Sequence, residues 1–326
     1  MYKDKILKLL RAHAGFLSGE ELASKMGISR TMVWKHIRSL EREGFMIEAV
    51  RSRGYRITSS PDLLRIDDIR SGLRTRTVGK IIHVLAQTDS TNTVAMEMAS
   101  EGAVEGTVVI AEAQTAGKGR LGRKWISPKG NLYLSIIFRP SLPVHKAPLI
   151  TLMGAVAAAS AIRSACSLPA MIKWPNDILL SGRKAGGLLT EMRAEPDRIK
   201  HIVLGIGVDV NMDPAVLPDG VRAISTSLAT EAGKSIDRTA FLQHLLRELD
   251  RWYLLFLANE ASVLSEWKTL NCTLGSRVSV NGAGAVFEGQ ARDIDGEGRL
   301  VVVLDDGTEQ TVAAGDVTLV RKSVPC

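Results

Sequence analysis

With 326 residues, 45% of them apolar and 24% charged, the sequence reads as a soluble globular chain of two or three domains with room for a sizeable core. Cys166, Cys272 and Cys326 stand far apart, in no Cys-x-x-Cys or Cys/His spacing, which argues against a disulfide framework and a structural zinc site and predicts a reducing, cytoplasmic setting. The net charge of +7 is uneven: residues 1–60 hold 12 Lys and Arg against 6 Asp and Glu, whereas residues 271–326 hold 5 against 8, so a polyanionic partner is expected at the front.

The opening MYKDKILKLLRAH is charged throughout, unlike a signal peptide, and the most apolar later run, from Gly154, is interrupted by Arg163. That run is predicted to be a buried helix, and no membrane association is expected. Ile6, Leu9 and Leu10 give one helical face, after which Ser18 to Glu21 is a capping box that opens a second helix with Leu22 and Met26 inward. Ser29 caps a third, whose Val33, Ile37 and Leu40 recur at four and three residues and whose end is marked by Gly44. Two short strands, FMIEAV and YRIT, follow around an Arg-tipped turn. Helix, turn, helix and basic ribbon in this order is the pattern of a winged helix-turn-helix DNA reader, with Arg30, Thr31, Lys35, Arg38, Arg51 and Arg53 as the contacts. Trp34 fits either that face or packing against the first helix.

Ser59 to Asp62 reads as a hinge. Beyond it, strand patterns start at Lys80, Thr107, Asn131, Met171, Ile178, Gly187 and His201, and helix patterns alternate with them. Short turns, Ser181 to Arg183 and Glu195 to Asp197, permit antiparallel pairing, so the sheet is predicted to be mixed. Residues 271–326 alternate like a small barrel-like β module. The expected domains are 1–60, 61–270 and 271–326, in an α+β fold.

The stretch QTAGKGRLGRKW, Gln114 to Trp125, contains G-x-G-x-x-G at Gly117, Gly119 and Gly122 with Lys118, Arg120, Arg123 and Lys124 around it. A dinucleotide fingerprint must open a helix, and Pro128 and Gly130 break any helix here. A Walker loop needs Lys then Ser or Thr after the last glycine, and a kinase lid needs companion motifs that are missing. What remains is a flexible cationic loop suited to phosphate and carboxylate oxygens. A second cluster, Lys173-Trp174-Pro175-Asn176-Asp177, precedes Arg183-Lys184-Ala185-Gly186-Gly187. Asp89-Ser90-Thr91-Asn92 reads as a helix cap whose side chains could also meet a small ligand.

G-K-G-R-L-G-R-K-W, K-W-P-N-D, D-S-T-N and R-K-x-G-G-L-L-x-E, behind a winged helix, resemble the biotin protein ligases of the bifunctional kind that also repress the biotin operon. The resemblance spans nearly the whole chain. It implies a catalytic domain similar to class II aminoacyl-tRNA synthetases and a two-step reaction: biotin and MgATP give biotinyl-5′-AMP, and a lysine of the biotin carboxyl carrier protein of acetyl-CoA carboxylase takes the biotinyl group. By matching positions, Ser90, Thr91, Asn92, Gln114, Gly117, Lys118, Gly119, Arg120, Arg123, Trp125, Lys184 and Gly187 should line the biotin and adenylate pocket, with Arg120 and Lys184 the catalytic cations. Asn176 and Asp177 should sit near the nucleotide, Asp177 as the magnesium ligand. Biotinyl-5′-AMP is implied as corepressor, and a homodimer on operator DNA as its readout. Lys118 stands where the family usually has Arg, and Asp209 where it commonly has Asn. A ligand-sensing regulator without ligase activity and a lipoate–protein ligase are the competing readings.

Overall fold

A computed structural model describes residues 2–195, 198–282 and 285–320, in two compact units that part at Leu63 and Leu64. Cys326 and most of the expected turn at Glu195 to Asp197 lie outside the described residues. Each unit has its own core.

In the first unit, α1 (Tyr2–Ala12), α2 (Gly19–Met26) and α3 (Arg30–Arg42) precede a hairpin of β1 (Met46–Val50) and β2 (Gly54–Ser59). Both expected caps form: Ser18 Oγ accepts from Glu21 N at 3.0 Å with Glu21 returning the bond, and Ser29 Oγ accepts from Met32 N at 3.3 Å. The core is Ile6, Leu7, Leu10, Leu17, Leu22, Val33, Ile37, Leu40 and Phe45. Leu7, rather than Leu9, completes the buried face of α1, because the stripe facing α3 runs through i, i+1 and i+4 from Ile6. Gly54 is obligatory where the hairpin meets the loop before α2: its φ is +107°, and a Cβ there would lie 2.0 Å from Leu17 O. Tyr55 N donates to that carbonyl at 2.8 Å and fixes the wing.

The second unit opens with α4 (Ile66–Ser71), β3 (Ile82–Leu85), α5 (Thr91–Ser100), β4 (Val108–Ala111) and β5 (Leu132–Phe138). It continues with α6 (Pro148–Cys166), β6 (Met171–Lys173), β7 (Asp177–Leu180), β8 (Arg183–Ala194) and β9 (Ile199–Val208). The helices α7 (Asp219–Arg222), α8 (Leu228–Ala232), α9 (Arg238–Ala258) and α10 (Glu260–Leu270) complete this part. The seven strands form one mixed sheet in the order β3-β4-β5-β9-β8-β7-β6, parallel between β3 and β4 and antiparallel elsewhere.

Burial on both faces explains why the central strands read as nearly unbroken apolar runs. Val108, Ile110, Leu134, Ile136, Leu204 and Ile206 point into the main core, shared with α6 and α9, while Val109, Ile137 and Val203 point to α5. The apolar segment Val144–Cys166, which contains α6, is long enough by composition to cross a membrane, but 67% of its most apolar window is buried against this protein's own elements, as expected of a core helix.

Residues 273–320 carry β10 (Arg277–Gly282), β11 (Ala285–Ile294), β12 (Leu300–Val303), β13 (Glu309–Val312) and β14 (Asp316–Leu319). They pair antiparallel in the order β13-β12-β11-β10-β14. Trp174, only 2% exposed, ties this sheet to the larger one: its Nε1 donates to Gly298 O at 3.0 Å and its backbone N to Thr273 Oγ1 at 2.8 Å.

Candidate functional site

The helix α5 is too short to cover its whole face of the large sheet. Beyond its N-terminus the sheet presents Tyr133, Gly205, Gly207, Leu189 and Gly187, and a cavity of about 160 Å³ opens there. Side chains from five places in the chain close it. Ser90, Thr91 and Asn92 come from the start of α5, Gln114 and the loop to Trp125 from beyond β4, Asn176 and Asp177 from the start of β7, Lys184 from β8, and Asp316 from β14. Every residue expected in the pocket from the sequence lines it except Gly117. That glycine is buried at the foot of the loop, where Trp125 N donates to its carbonyl at 2.8 Å and a Cβ would meet Trp125 O at 2.5 Å.

The cationic loop is a small irregular hairpin. Gly119 N donates to Arg123 O at 2.7 Å, and Leu121 turns through the left-handed region at φ +55°. It opens no α-helix, as Pro128 and Gly130 predicted. The Trp125 indole folds back over β9, and Gly207 makes room for it: a Cβ there would lie 2.8 Å from Nε1. That Nε1 is buried with no hydrogen-bond partner among the described residues, so it is a donor in search of an acceptor at the cavity wall.

The cavity has a rigid end and a charged end. At the rigid end Gln114 Oε1 accepts from Thr91 N at 2.8 Å and Gln114 Nε2 donates to Ser127 Oγ at 2.9 Å. Asn92 Nδ2 donates to Glu191 Oε2 at 2.7 Å, while Ser135 Oγ lies 2.6 Å from Asn92 Oδ1. With both ends of its amide held by protein, Asn92 shapes the wall. Ser90 occupies the N-cap position of α5, yet its side chain makes no capping bond, contrary to the capping expected of this segment. It is 2% exposed and borders the cavity, while Asp89 Oδ1 takes Ser90 N at 2.6 Å.

At the charged end Lys184 Nζ lies 2.5 Å from Asp177 Oδ1 and 5.1 Å from the centre of the Trp125 ring, and Lys173 Nζ is 3.8 Å from Asp177 Oδ2. Arg120 reaches Asn176 Oδ1 at 3.4 Å and Gly315 O at 3.3 Å. Burial lowers the pKa of Arg120, against the opposing pull of Asp316 and Asp177. Arg123 holds Asp316 through both guanidinium nitrogens. No group of three or more His, Cys, Asp or Glu that could hold a metal occurs among the described residues, so Asp177 offers a single carboxylate. Behind Lys184, on the extension of β9, burial raises the carboxyl of Asp209 to about 7, and Asn131 Nδ2 donates to it at 3.2 Å.

Sequence reasoning missed Tyr133, Leu188, Leu189, Gly205, Ile206, Gly207 and Asp316. The alternation within GIGVDV could have placed both glycines on one face; nothing local pointed to Asp316.

In the first unit the exposed face of α3 carries Arg30, Thr31, Trp34, Lys35 and Arg38, and the turn after β1 carries Arg51 and Arg53. Trp34 is 49% exposed, which rules out the packing alternative. The Arg53 guanidinium lies 4.4 Å from the centre of the Phe16 ring.

Residues 84–209 match the Biotin/lipoate A/B protein ligase family, residues 3–56 the HTH domain and residues 273–320 the Biotin protein ligase C terminal domain. The bifunctional ligase/repressor BirA of Bacillus subtilis is 39% identical over 96% of this chain and 97% of its own length. The biotin–[acetyl-CoA-carboxylase] ligase of Mycobacterium tuberculosis is 34% identical over 74% of this chain and 89% of its own. Among solved structures, the biotin protein ligase of Aquifex aeolicus in complex with biotin and ATP aligns with a TM-score of 0.64 at 25% identity, over 74% of this chain and all of that one. A nearly full-length match of this kind, with the cationic loop, the Asn176-Asp177 turn and Lys184 around one cavity behind a helix-turn-helix unit, means that the chain belongs to the bifunctional biotin ligase/repressor family.

Proposed function

We propose that the cavity forms biotinyl-5′-AMP from biotin and ATP and then passes the biotinyl group to a lysine of the biotin carboxyl carrier protein of acetyl-CoA carboxylase. The observation that carries this reading is the pairing of a rigid neutral end with a cationic end in one small cavity. A biotin carboxylate attacking the α-phosphorus brings two anions together, and pyrophosphate departs with more charge. Arg120 and Lys184 offset that repulsion, fixed in place before the reaction by Asn176 and Asp177. The neutral wall of Ser90, Thr91 and Gln114 suits an uncharged ureido head, and the unsatisfied Trp125 Nε1 supplies a further donor. The glycine loop, with Lys118, Gly119 and Arg123, excludes water from a mixed anhydride that hydrolyses readily. In the second step the carrier's lysine amine attacks the acyl carbon and AMP leaves. No nucleophile from this chain is needed.

Magnesium enters with the nucleotide in this reading, and it neutralises phosphate charge when bound. Among the described residues two carboxylates border the cavity, and Asp177 fits the ion because Arg123 already holds the other, Asp316; such an ion takes its other ligands from phosphates and water. Biotinyl-5′-AMP then serves as corepressor, bringing a homodimer to operator DNA in the cytoplasm through Arg30, Thr31, Lys35, Arg38, Arg51 and Arg53. The test of the enzyme is biotin-dependent exchange of labelled pyrophosphate into ATP, run beside lipoate. Exchange with biotin alone is expected; exchange with lipoate alone would replace this reading with that of a lipoate ligase.

A further inference from the structure

The helix-turn-helix unit carries a feature that neither its charge nor its packing accounts for. Trp34 sits in the second turn of α3, on the flank of the buried stripe of Val33, Ile37 and Leu40, and is 49% exposed, whereas Trp174, Trp252 and Trp267 are 2%, 6% and 0% exposed. Its ring is not loose. The Arg38 guanidinium, one helical turn on, lies 5.6 Å from the ring centre, and Arg38 Nη1 donates to Glu41 Oε2 at 2.9 Å. Arg38 is thereby held from behind, so the indole is braced on one side and open on the other.

The open side faces a groove of about 660 Å³ between α3 and the wing. Arg30, Thr31 and Trp34 line one bank, and Arg51 and Ser52 the other. A duplex lying against this bank meets cations at its phosphates and an apolar plate at its base edges. The chemical group in a major groove that matches an apolar plate is the thymine C5 methyl.

We propose that Trp34 is a specificity-determining residue of the DNA-reading face: its indole packs on a thymine methyl in the major groove, and Arg38 braces the ring instead of serving mainly as a phosphate contact. This inference rests on the DNA-binding reading above. It gives the recognition helix a base-reading group that contributes no charge, so its removal must change sequence preference without changing the number of phosphates neutralised.

The test uses the full chain with biotin and ATP and a duplex selected from a random pool by the wild-type protein. Trp34→Ala should bind the selected duplex ~10-fold more weakly, with the affinity for a scrambled duplex and the slope against salt unchanged. Trp34→Phe, which keeps an apolar ring, should recover part of the loss. Replacing thymines of the selected duplex by deoxyuridine one at a time removes only the methyl. At least one position should weaken the wild type severalfold and leave Trp34→Ala unaffected. The proposal is overturned by an equal loss on both duplexes, by no loss on either, by deoxyuridine effects that are identical in wild type and variant, or by a change in sedimentation with DNA binding intact. A wild-type protein that selects no duplex at all would remove the DNA-binding reading itself.

Discussion

Lys184 makes more of the charged end than any other side chain: it pairs with Asp177, lies over Trp125 and approaches the buried Asp209. Lys184→Ala should lower the rate of adenylate formation by roughly 10²- to 10³-fold, the scale of losing one fixed cation where charge develops, with circular dichroism unchanged. Burst-phase measurement of biotinyl-AMP checks it, and an undiminished burst would mean that Arg120 carries the charge alone. Asp209 gives a pH prediction. Its carboxyl has an ordinary value of 3.8 and is raised to about 7 in the fold by burial. Between those values the folded state holds a proton that the unfolded chain has lost, so this group's contribution falls as pH rises through that window and the full cost is present above about 7. Asp209→Asn should therefore flatten the profile and, at pH ~8, stabilise the protein by up to about 4 kcal/mol. Urea midpoints at pH ~5 and ~8 measure it, and a variant that is no more stable at the higher pH would contradict the raised value. The sequence marked both residues as notable, Lys184 by its motif and Asp209 by its departure, but the burial that gives Asp209 its consequence is a tertiary property.

Between elements the decisive link is a chain of buried polar groups. Glu112, at the end of β4, accepts Leu64 N at 2.7 Å and pairs with Arg238 Nη1 at 2.8 Å, and the same Arg238 nitrogen donates to Asn131 O at 2.9 Å. Asn131 in turn holds Val210 N at 2.8 Å and faces Tyr133 and Asp209. Thus the first turn of α9 is fastened to β4, β5 and the floor of the cavity. Arg238 is 1% exposed, so Arg238→Met leaves Glu112 buried without its counter-charge and should cost roughly 3 to 5 kcal/mol. The urea midpoint reports the loss, and Glu112→Gln added to that variant should restore part of it. Elements themselves were legible: the capped helices α2 and α3, the mixed sheet and the strands of the last module all follow local periodicity and turn residues. The last strand of that module, Asp316–Leu319, pairs with β10 and not with its sequence neighbour β13, a placement that local alternation does not specify.

At the scale of the molecule, residues 64–326 contain the whole cavity, including Asp316, and their own core. Expressed alone, they should unfold cooperatively and retain pyrophosphate exchange while losing all DNA binding; exchange and gel-shift assays on the same preparation decide, and absence of exchange from a folded fragment would show that the first unit is needed for catalysis. By itself the sequence determined the order of the modules, the mixed character of the sheet, the polyanion-facing front and nearly every polar residue around the cavity, because capping, strand alternation and motif spacing are short-range properties. Only the tertiary structure decided that Trp34 stands in solvent, that Gly207 lies under Trp125, that the Asn92 amide is spent on protein partners and that Asp316 closes the site. The Arg123 to Asp316 contact joins residues 193 positions apart. It depends on how a five-stranded sheet packs against a seven-stranded one, and no local pattern encodes that placement.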